Sequence, residues 1–185
     1  PLYANNANVG PANAAYTLAG DLNHTGSTDN KDFEITKADS TTVISCPASE
    51  VYTGSAITPC TADVTGAGGL VTTTSVSYGA NTPVGTATAD ATYAGDANHN
   101  GSNAVQKTFE ITAATASVTI SNISQTYDAA EKPVTVTTVP DGLSYTLTYD
   151  GGAAVPSEAG SYPVVATITD TNYSGSDSKI LVISK

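Results

Sequence analysis

The sequence has no arginine, no methionine and no tryptophan, and it has few cations of any kind. Six lysines stand against seventeen aspartates and glutamates, which gives a formal net charge of -11 at pH 7. Binding to nucleic acid requires cations clustered against the phosphates. Because this chain cannot supply such a cluster, we do not expect nucleic acid among its partners.

Long apolar runs are also missing. No stretch reaches eighteen apolar residues, so we predict no segment that spans a bilayer. A charged and then apolar leader is not found at Pro1. We therefore expect a mature or excised piece whose targeting signal lies outside this sequence.

Cysteine is limited to Cys46 and Cys60, with thirteen residues between them. Two thiols do not complete a zinc site without nearby histidines, and the only two histidines lie in other segments. We predict a disulfide formed in an oxidising compartment, with free buried thiols as the alternative. In the internal repeat described next, we align Cys46 with Ser121 and Cys60 with Val134.

A short polar segment occurs three times in the chain. It reads GDLNHTGS at 20–27, GDANHNGS at 95–102 and DTNYSGS at 170–176. The match extends outward, since FEIT at 33–36 corresponds to FEIT at 109–112, and Val9-Gly10 corresponds to Val84-Gly85. A repeat of about 75 residues follows, and the sequence opens in the middle of one unit.

Apolar residues alternate with threonine and serine within each unit. Examples are SVTIS at 117–121, VTVTTV at 134–139, YTLTY at 145–149 and VVATIT at 164–169. A period of two with β-branched residues indicates strands that have one face on a core and one face in water. Gly, Pro, Asn and Asp separate these runs, as expected for turns. We predict an all-β chain of tandem Ig-like antiparallel β-sandwiches.

The repeat predicts three domains with almost no linker between them. Residues 1–37 form the C-terminal half of an incomplete unit, residues 38–113 form a full unit with the disulfide, and residues 114–185 form a second full unit. Close spacing of the units predicts a stiff rod. The half unit lacks front strands, so we expect residues outside it, in the same or a neighbouring chain, to complete it.

The last unit carries a family resemblance. Its YDAAEKPVTVTTVPDGLSYTLTYDG, AGSYPVVATITDTNYSGS and LVISK segments resemble the bacterial Ig-like repeats of the MBG or YDG type, and the middle unit, with YTGSAITP, resembles a close relative. Ala129 departs from the family, which usually has glycine after Tyr-Asp. Such repeats occur in tandem in large secreted or surface-attached proteins, often adhesins.

The repeated turn is the candidate site. Its residues are Asp21, Asn23, His24 and Gly26; Asp96, Asn98, His99 and Gly101; and Asp170, Asn172, Tyr173 and Gly175. We interpret the turn as structural, with side chains that cap their own backbone and a glycine at positive φ. Tyrosine in the histidine slot favours a half-buried ring over a metal ligand. Calcium at Asp96, Asn98 and Asn100 is the alternative, although no bidentate glutamate follows.

The residues favour a protein without catalytic chemistry. No histidine is paired by motif with a serine, and no Gly-x-Ser-x-Gly segment occurs. We expect a non-catalytic spacer of an extracellular or cell-surface adhesin-like protein, without cofactor, whose partners are neighbouring repeats. The alternative is a subunit of an extracellular filament assembled by strand complementation between chains. A host-surface or carbohydrate ligand is left open.

Overall fold

A computed structural model describes residues 1–185, and its regular structure is nearly all β, which confirms the predicted all-β class. Residues 1–37 contain β1 (Leu2–Ala4), β2 (Gly10–Leu18) and β3 (Ser27–Ile35). Residues 38–113 contain β4 (Ser40–Ser45), β5 (Ser49–Val51), β6 (Thr61–Gly66), a 3-10 turn (Ala67–Gly69), β7 (Leu70–Thr73), β8 (Val76–Gly79), β9 (Gly85–Tyr93), β10 (Ser102–Asn103) and β11 (Lys107–Thr112). Residues 114–185 contain β12 (Ala114–Thr115), β13 (Ser117–Ser121), β14 (Ser124–Thr126), β15 (Thr135–Val139), β16 (Tyr145–Tyr149), β17 (Gly160–Ile168), β18 (Tyr173–Ser174) and β19 (Ser176–Ser184).

Alternating burial explains why these segments are strands. In β17, Val164, Ala166 and Ile168 are buried, whereas Val165 and Thr167 between them are exposed. Successive side chains of a strand point to opposite faces, so this pattern places one face on a core and the other in solvent. β-branched residues fit such a half-buried surface.

The first compact unit consists of residues 1–47, 59–79 and 88–108. It contains two three-stranded antiparallel sheets, β1-β2-β3 (sheet 1) and β4-β6-β7. β8 and β10 each pair antiparallel with β9 in the same unit. Ile44 of β4 and Val64 of β6 are buried on the inner face of their sheet, and Thr42, the strand partner of Val64, is buried beside them.

The second compact unit consists of residues 48–58, 80–87 and 109–185. Its four-stranded sheet has the order β14-β19-β17-β16, and β13 pairs antiparallel with β15 in a two-stranded sheet. Three short parallel pairs, β5 with β11, β12 with β18 and β14 with β19, add to the predicted antiparallel pairing.

The core of the second unit lies between its two sheets. Ile120 of β13 joins Tyr149, Val164, Leu181 and Ile183 of the four-stranded sheet in one cluster. Tyr149 is buried, and its hydroxyl accepts the N–H of Val134 at 3.1 Å. The hydroxyl therefore satisfies a backbone donor just before β15, as buried polar groups require.

Cys46 and Cys60 are bonded in the structure. They directly follow β4 and precede β6, so the disulfide extends the strand pairing, whose last pair is Ser45 with Thr61. The loop that it closes has a sequence separation of 14. Such a bond is typical of small domains in oxidising compartments.

Candidate functional site

In each copy of the repeated turn, the aspartate accepts backbone N–H groups of its own turn. Asp96 Oδ1 accepts the N–H groups of Asn98 at 2.8 Å and His99 at 2.7 Å. Asp21 accepts the corresponding two N–H groups at 2.8 Å, and Asp170 accepts the N–H of Asn172 at 2.8 Å. Each aspartate thus caps the backbone of its own turn, as the sequence predicts.

The glycines of the repeated turn have a different structural role from the predicted one. None of Gly26, Gly101 and Gly175 has a positive φ. A Cβ at Gly101 would lie 2.7 Å from the Tyr93 carbonyl oxygen, and a Cβ at Gly175 would collide with the Ala116 carbonyl oxygen. Glycine is required here because backbone passes too closely for any side chain, and the expectation of a left-handed conformation is wrong.

In the second copy, Asn98 binds backbone far away in the sequence. Its Oδ1 accepts the Val9 N–H at 3.0 Å, and its Nδ2 donates to Asn8 Oδ1 at 3.1 Å. The Asn98 carbonyl accepts the Ala38 N–H at 2.9 Å, and the Asn100 N–H donates to the Ala38 carbonyl at 2.8 Å. The turn therefore holds both a loop of the first copy and the segment that leads out of it.

The third copy repeats two of these contacts. Asn172 Oδ1 accepts the Val84 N–H at 3.1 Å, and its carbonyl accepts the Ala114 N–H at 3.0 Å. Val84 corresponds to Val9 in the repeat, and Ala114 corresponds to Ala38. Tyr173 packs edge-on against Tyr52, with ring centroids 5.4 Å apart. We call this arrangement, in which the asparagine of one copy receives the valine N–H of the preceding copy, the repeat joint.

His99 adds a polar network to the joint. Its Nδ1 lies 2.9 Å from Asp96 Oδ1, and its Nε2 lies 2.9 Å from the Ala67 carbonyl oxygen. Both neighbours are acceptors, so both contacts are hydrogen bonds only when the ring is protonated. The Ala67 carbonyl, followed by the Asp96 carboxylate, accordingly raises the pKa of His99.

Asp96 is held ionised by the same network. Burial favours its neutral form, but hydrogen bonds from the Asn98 N–H, the His99 ring and the Tyr93 hydroxyl lower the pKa of Asp96 to about 2. Tyr93 donates to Asp96 Oδ2 at 2.9 Å, and burial together with this carboxylate raises the pKa of Tyr93. When the His99 ring is protonated, the network is therefore an ion pair flanked by neutral donors.

The first copy has the turn without the joint. Asp21 binds His24 Nδ1 at 2.9 Å, and the hydrogen bond from the Asn23 N–H, followed by that from the His24 ring, lowers the pKa of Asp21. The Asn23 side chain makes no hydrogen bond. The His24 side chain is 77% exposed, whereas the His99 side chain is 12% exposed. The half-buried ring expected in this slot is thus found at His99 and not at His24.

The side chains considered for calcium have protein partners. Asp96 and Asn98 are engaged in the joint, and Asn100 Nδ2 donates to Asp39 Oδ1 at 3.0 Å. No group of three or more His, Cys, Asp and Glu side chains is placed to hold a metal ion. A cleft of about 370 Å³ lies beside the joint, where Val9, Ile35 and His99 line it.

Comparison with known families finds a match for the last part of the chain. Residues 116–185 match the family model of the MBG domain. This MBG-like segment holds the third turn and the whole cluster around Leu181. Among curated proteins, the search found no match. The chain forms no helix that is both long enough and apolar enough to cross a membrane.

The MBG-like segment replaces the disulfide with amides. Strand pairing aligns Ser45 with Ser121, so Cys46 corresponds to Asn122 and not, as the sequence alignment predicts, to Ser121. Asn122 Nδ2 and Gln125 Nε2 donate to the Pro133 carbonyl at 3.2 and 3.0 Å. Hydrogen bonds therefore close the loop that a covalent bond closes in the middle repeat.

Ala129, which stands where the family usually has glycine, keeps the backbone conformation of that glycine. Ala129 of the MBG-like segment has φ 64°, and Gly54, its counterpart in the middle repeat, has φ 81°. The left-handed region favours glycine, since a Cβ there crowds the following carbonyl oxygen. The family's glycine therefore serves the backbone conformation, and Ala129 adopts the same conformation at some cost in free energy.

Proposed function

We propose that the chain is a non-catalytic spacer of an extracellular or cell-surface adhesin-like protein, built of tandem Ig-like repeats. The repeat joint is the observation that carries this proposal. Asn98 with Val9 and Asn172 with Val84 make the same contact at successive positions of the chain. The repeated turn, which the sequence marks as the candidate site, thus binds one repeat to the preceding one.

The connections between repeats support a spacer. Ala38 and Ala114, which lie between successive copies, are paired in parallel with His99 and Tyr173 of the turn. Backbone that is paired in this way is not a free linker, because its N–H and C=O groups are already satisfied. A chain whose connections are bonded at each copy is suited to keeping other parts of a protein apart.

Composition supports an extracellular location. The Cys46–Cys60 disulfide is of the kind that persists in oxidising surroundings. A net charge of -11 favours solubility and discourages association with other acidic surfaces. The MBG-domain match at residues 116–185 agrees with a repeat module of surface-type proteins.

The test replaces the spacer in the protein that carries it. Cells expressing a version without residues 38–185 are expected to adhere less, and inserting unrelated, non-binding β domains of equal length is expected to restore adhesion. Antibody labelling of intact cells against residues 38–185 reports the location. Failure of the length-matched replacement to restore adhesion would assign a specific ligand to these residues instead, and labelling only after lysis would contradict the surface location.

A further inference from the structure

Sheet 1 has a face on which large apolar side chains stay exposed, although Ala12 on the same face is buried. Strand pairing places Ala12 opposite Phe33, and Tyr16 opposite Asp29, on the same side of the sheet. Tyr16 is 51% exposed and Phe33 is 41% exposed, although neither is at the end of its strand. Tyr3 and Leu18, which are 57% and 51% exposed, lie on the same side, so exposed apolar side chains extend along this face beside Asp29 and Lys31 and mark a surface that a partner covers.

The same face is covered in the last repeat. The pairing Gly160–Ile183 corresponds to Gly10–Ile35, so Ala166 and Leu181 occupy the positions of Tyr16 and Phe33. Ala166 and Leu181 are fully buried against Ile120 of β13. The chain therefore contains the covered form of this surface, and the cover is the front half of a repeat, namely the antiparallel pair β13 and β15.

Polar groups on the two faces also correspond. In the last repeat Asp177 Oδ1 accepts the Ser178 N–H at 2.8 Å, and Asp177 Oδ2 accepts the Ile120 N–H of the covering strand at 2.9 Å. Asp29 occupies the position of Asp177, and its Oδ1 accepts the Asn30 N–H at 2.9 Å. Its Oδ2 has no hydrogen bond, so the acceptor that takes the covering strand's N–H is left over.

The turn next to this face is ready for the same partner. Asp21, Asn23 and His24 have the internal bonds found in the second copy, yet the His24 Nε2 lacks the carbonyl that Ala67 supplies to His99. Ala67 belongs to the front half of the middle repeat. A turn that is already ordered without its partner loses little conformational entropy when that partner binds.

We propose that sheet 1 and the turn at 20–26 form a docking surface for the unpaired front half of a further repeat of the same kind. Its inner strand would place apolar side chains over Tyr16 and Phe33 and a backbone N–H on Asp29 Oδ2. Its counterpart of Ala67 would place a carbonyl on His24 Nε2. The front halves of this chain are already paired in their own repeats, so they do not serve. This surface does not depend on the proposed spacer role.

The test adds a front half to the whole chain. A second copy of residues 38–75 is fused ahead of Pro1, because Pro1 corresponds to Val76 in the repeat. We expect amide exchange in β2 and β3 to slow by about tenfold or more, since covered strands open less often. Exchange in residues 117–184 is measured in the same sample and reports that the rest of the chain is folded.

Two pairs of variants define the surface. Ile44→Asp and Val64→Asp, placed in the added copy alone, are expected to abolish the protection. In the extended chain, Asp29→Asn is expected to reduce it, whereas Asp32→Asn, on the opposite face of sheet 1, is expected to leave it unchanged.

Two results would overturn the proposal. One is an added segment that exchanges freely, with β2 and β3 unchanged, while residues 117–184 stay protected. The other is an unextended chain that light scattering finds to be a dimer with β2 and β3 already protected, because a second copy would then be the occupant.

Discussion

Replacing the joint asparagine should loosen one backbone contact at a time. Asn98→Ala removes the acceptor of the half-buried Val9 N–H, and Asn172→Ala does the same for Val84. A buried donor left without a partner costs about 1–3 kcal/mol, which corresponds to roughly a 5- to 150-fold change in a local opening equilibrium. Asn23 occupies the corresponding position in the first copy of the turn, but its side chain has no partner to lose, so we expect Asn23→Ala to cost less than about 0.5 kcal/mol.

Native-state amide exchange measured by NMR reads these contacts separately. We expect Asn98→Ala to accelerate exchange of the Val9 amide and to leave Val84 unchanged, and Asn172→Ala to do the reverse. Asn23→Ala is the internal control, because it removes the same atoms from the corresponding position of another Asp-capped copy of the turn. A Val9 amide that exchanges at the same rate in Asn98→Ala, or an equal acceleration by Asn23→Ala, would refute the joint as the source of the protection.

Three further predictions concern stability. Replacing Cys46 and Cys60 together by alanine should lower the free energy of unfolding in urea by about 3 kcal/mol, because the bond closes a loop with a sequence separation of 14. A loss below about 1 kcal/mol, or alkylation of both thiols in the unfolded, unreduced chain, would contradict this prediction. The protonated ring of His99 stabilises the fold fully below its ordinary pKa of 6.5, and this contribution is lost as pH rises through the raised pKa of the folded state. The urea midpoint of the unchanged protein should therefore fall more with rising pH than the midpoint of His99→Gln. Parallel pH profiles for the two proteins would count against the ion pair. Leu181→Ala, at a fully buried site, should cost about 2–5 kcal/mol, whereas Val182→Ala, on the solvent face of the same strand, should cost far less by the same assay; equal losses would place the core elsewhere.

Much of the fold follows from local patterns in the sequence. Alternation in the run around Val164 predicts a strand with one buried face, and the structure has that strand. The position of Cys46 and Cys60 at strand ends predicts their bond because both lie at one end of a strand pair. Patterns of this kind are readable because they depend on side chains and on positions close in sequence.

The repeat joint was not predictable in the same way. Its donors are the backbone N–H groups of Val9 and Val84, and a backbone group leaves no residue type that marks it. The available signal was that Val-Gly occurs at 9–10 and again at 84–85, in the same place relative to the turn each time, which shows that the two segments recur together. Gly101 was misread for a related reason, since a close approach of distant backbone and a positive φ both call for glycine.

Recognition of backbone at the joint has a consequence for how such a chain can change. Asn98 and Asn172 each accept an N–H at a fixed place in the preceding copy, and any residue but proline supplies that N–H, so Val9 and Val84 themselves can be replaced without loss of this contact. In arrays whose units contact only their neighbours, total stability grows roughly as a sum of units and junctions. Duplication of one copy therefore brings its own junction with it. Gene duplication can change the number of copies without inventing a contact, and length becomes a heritable trait independent of surface sequence.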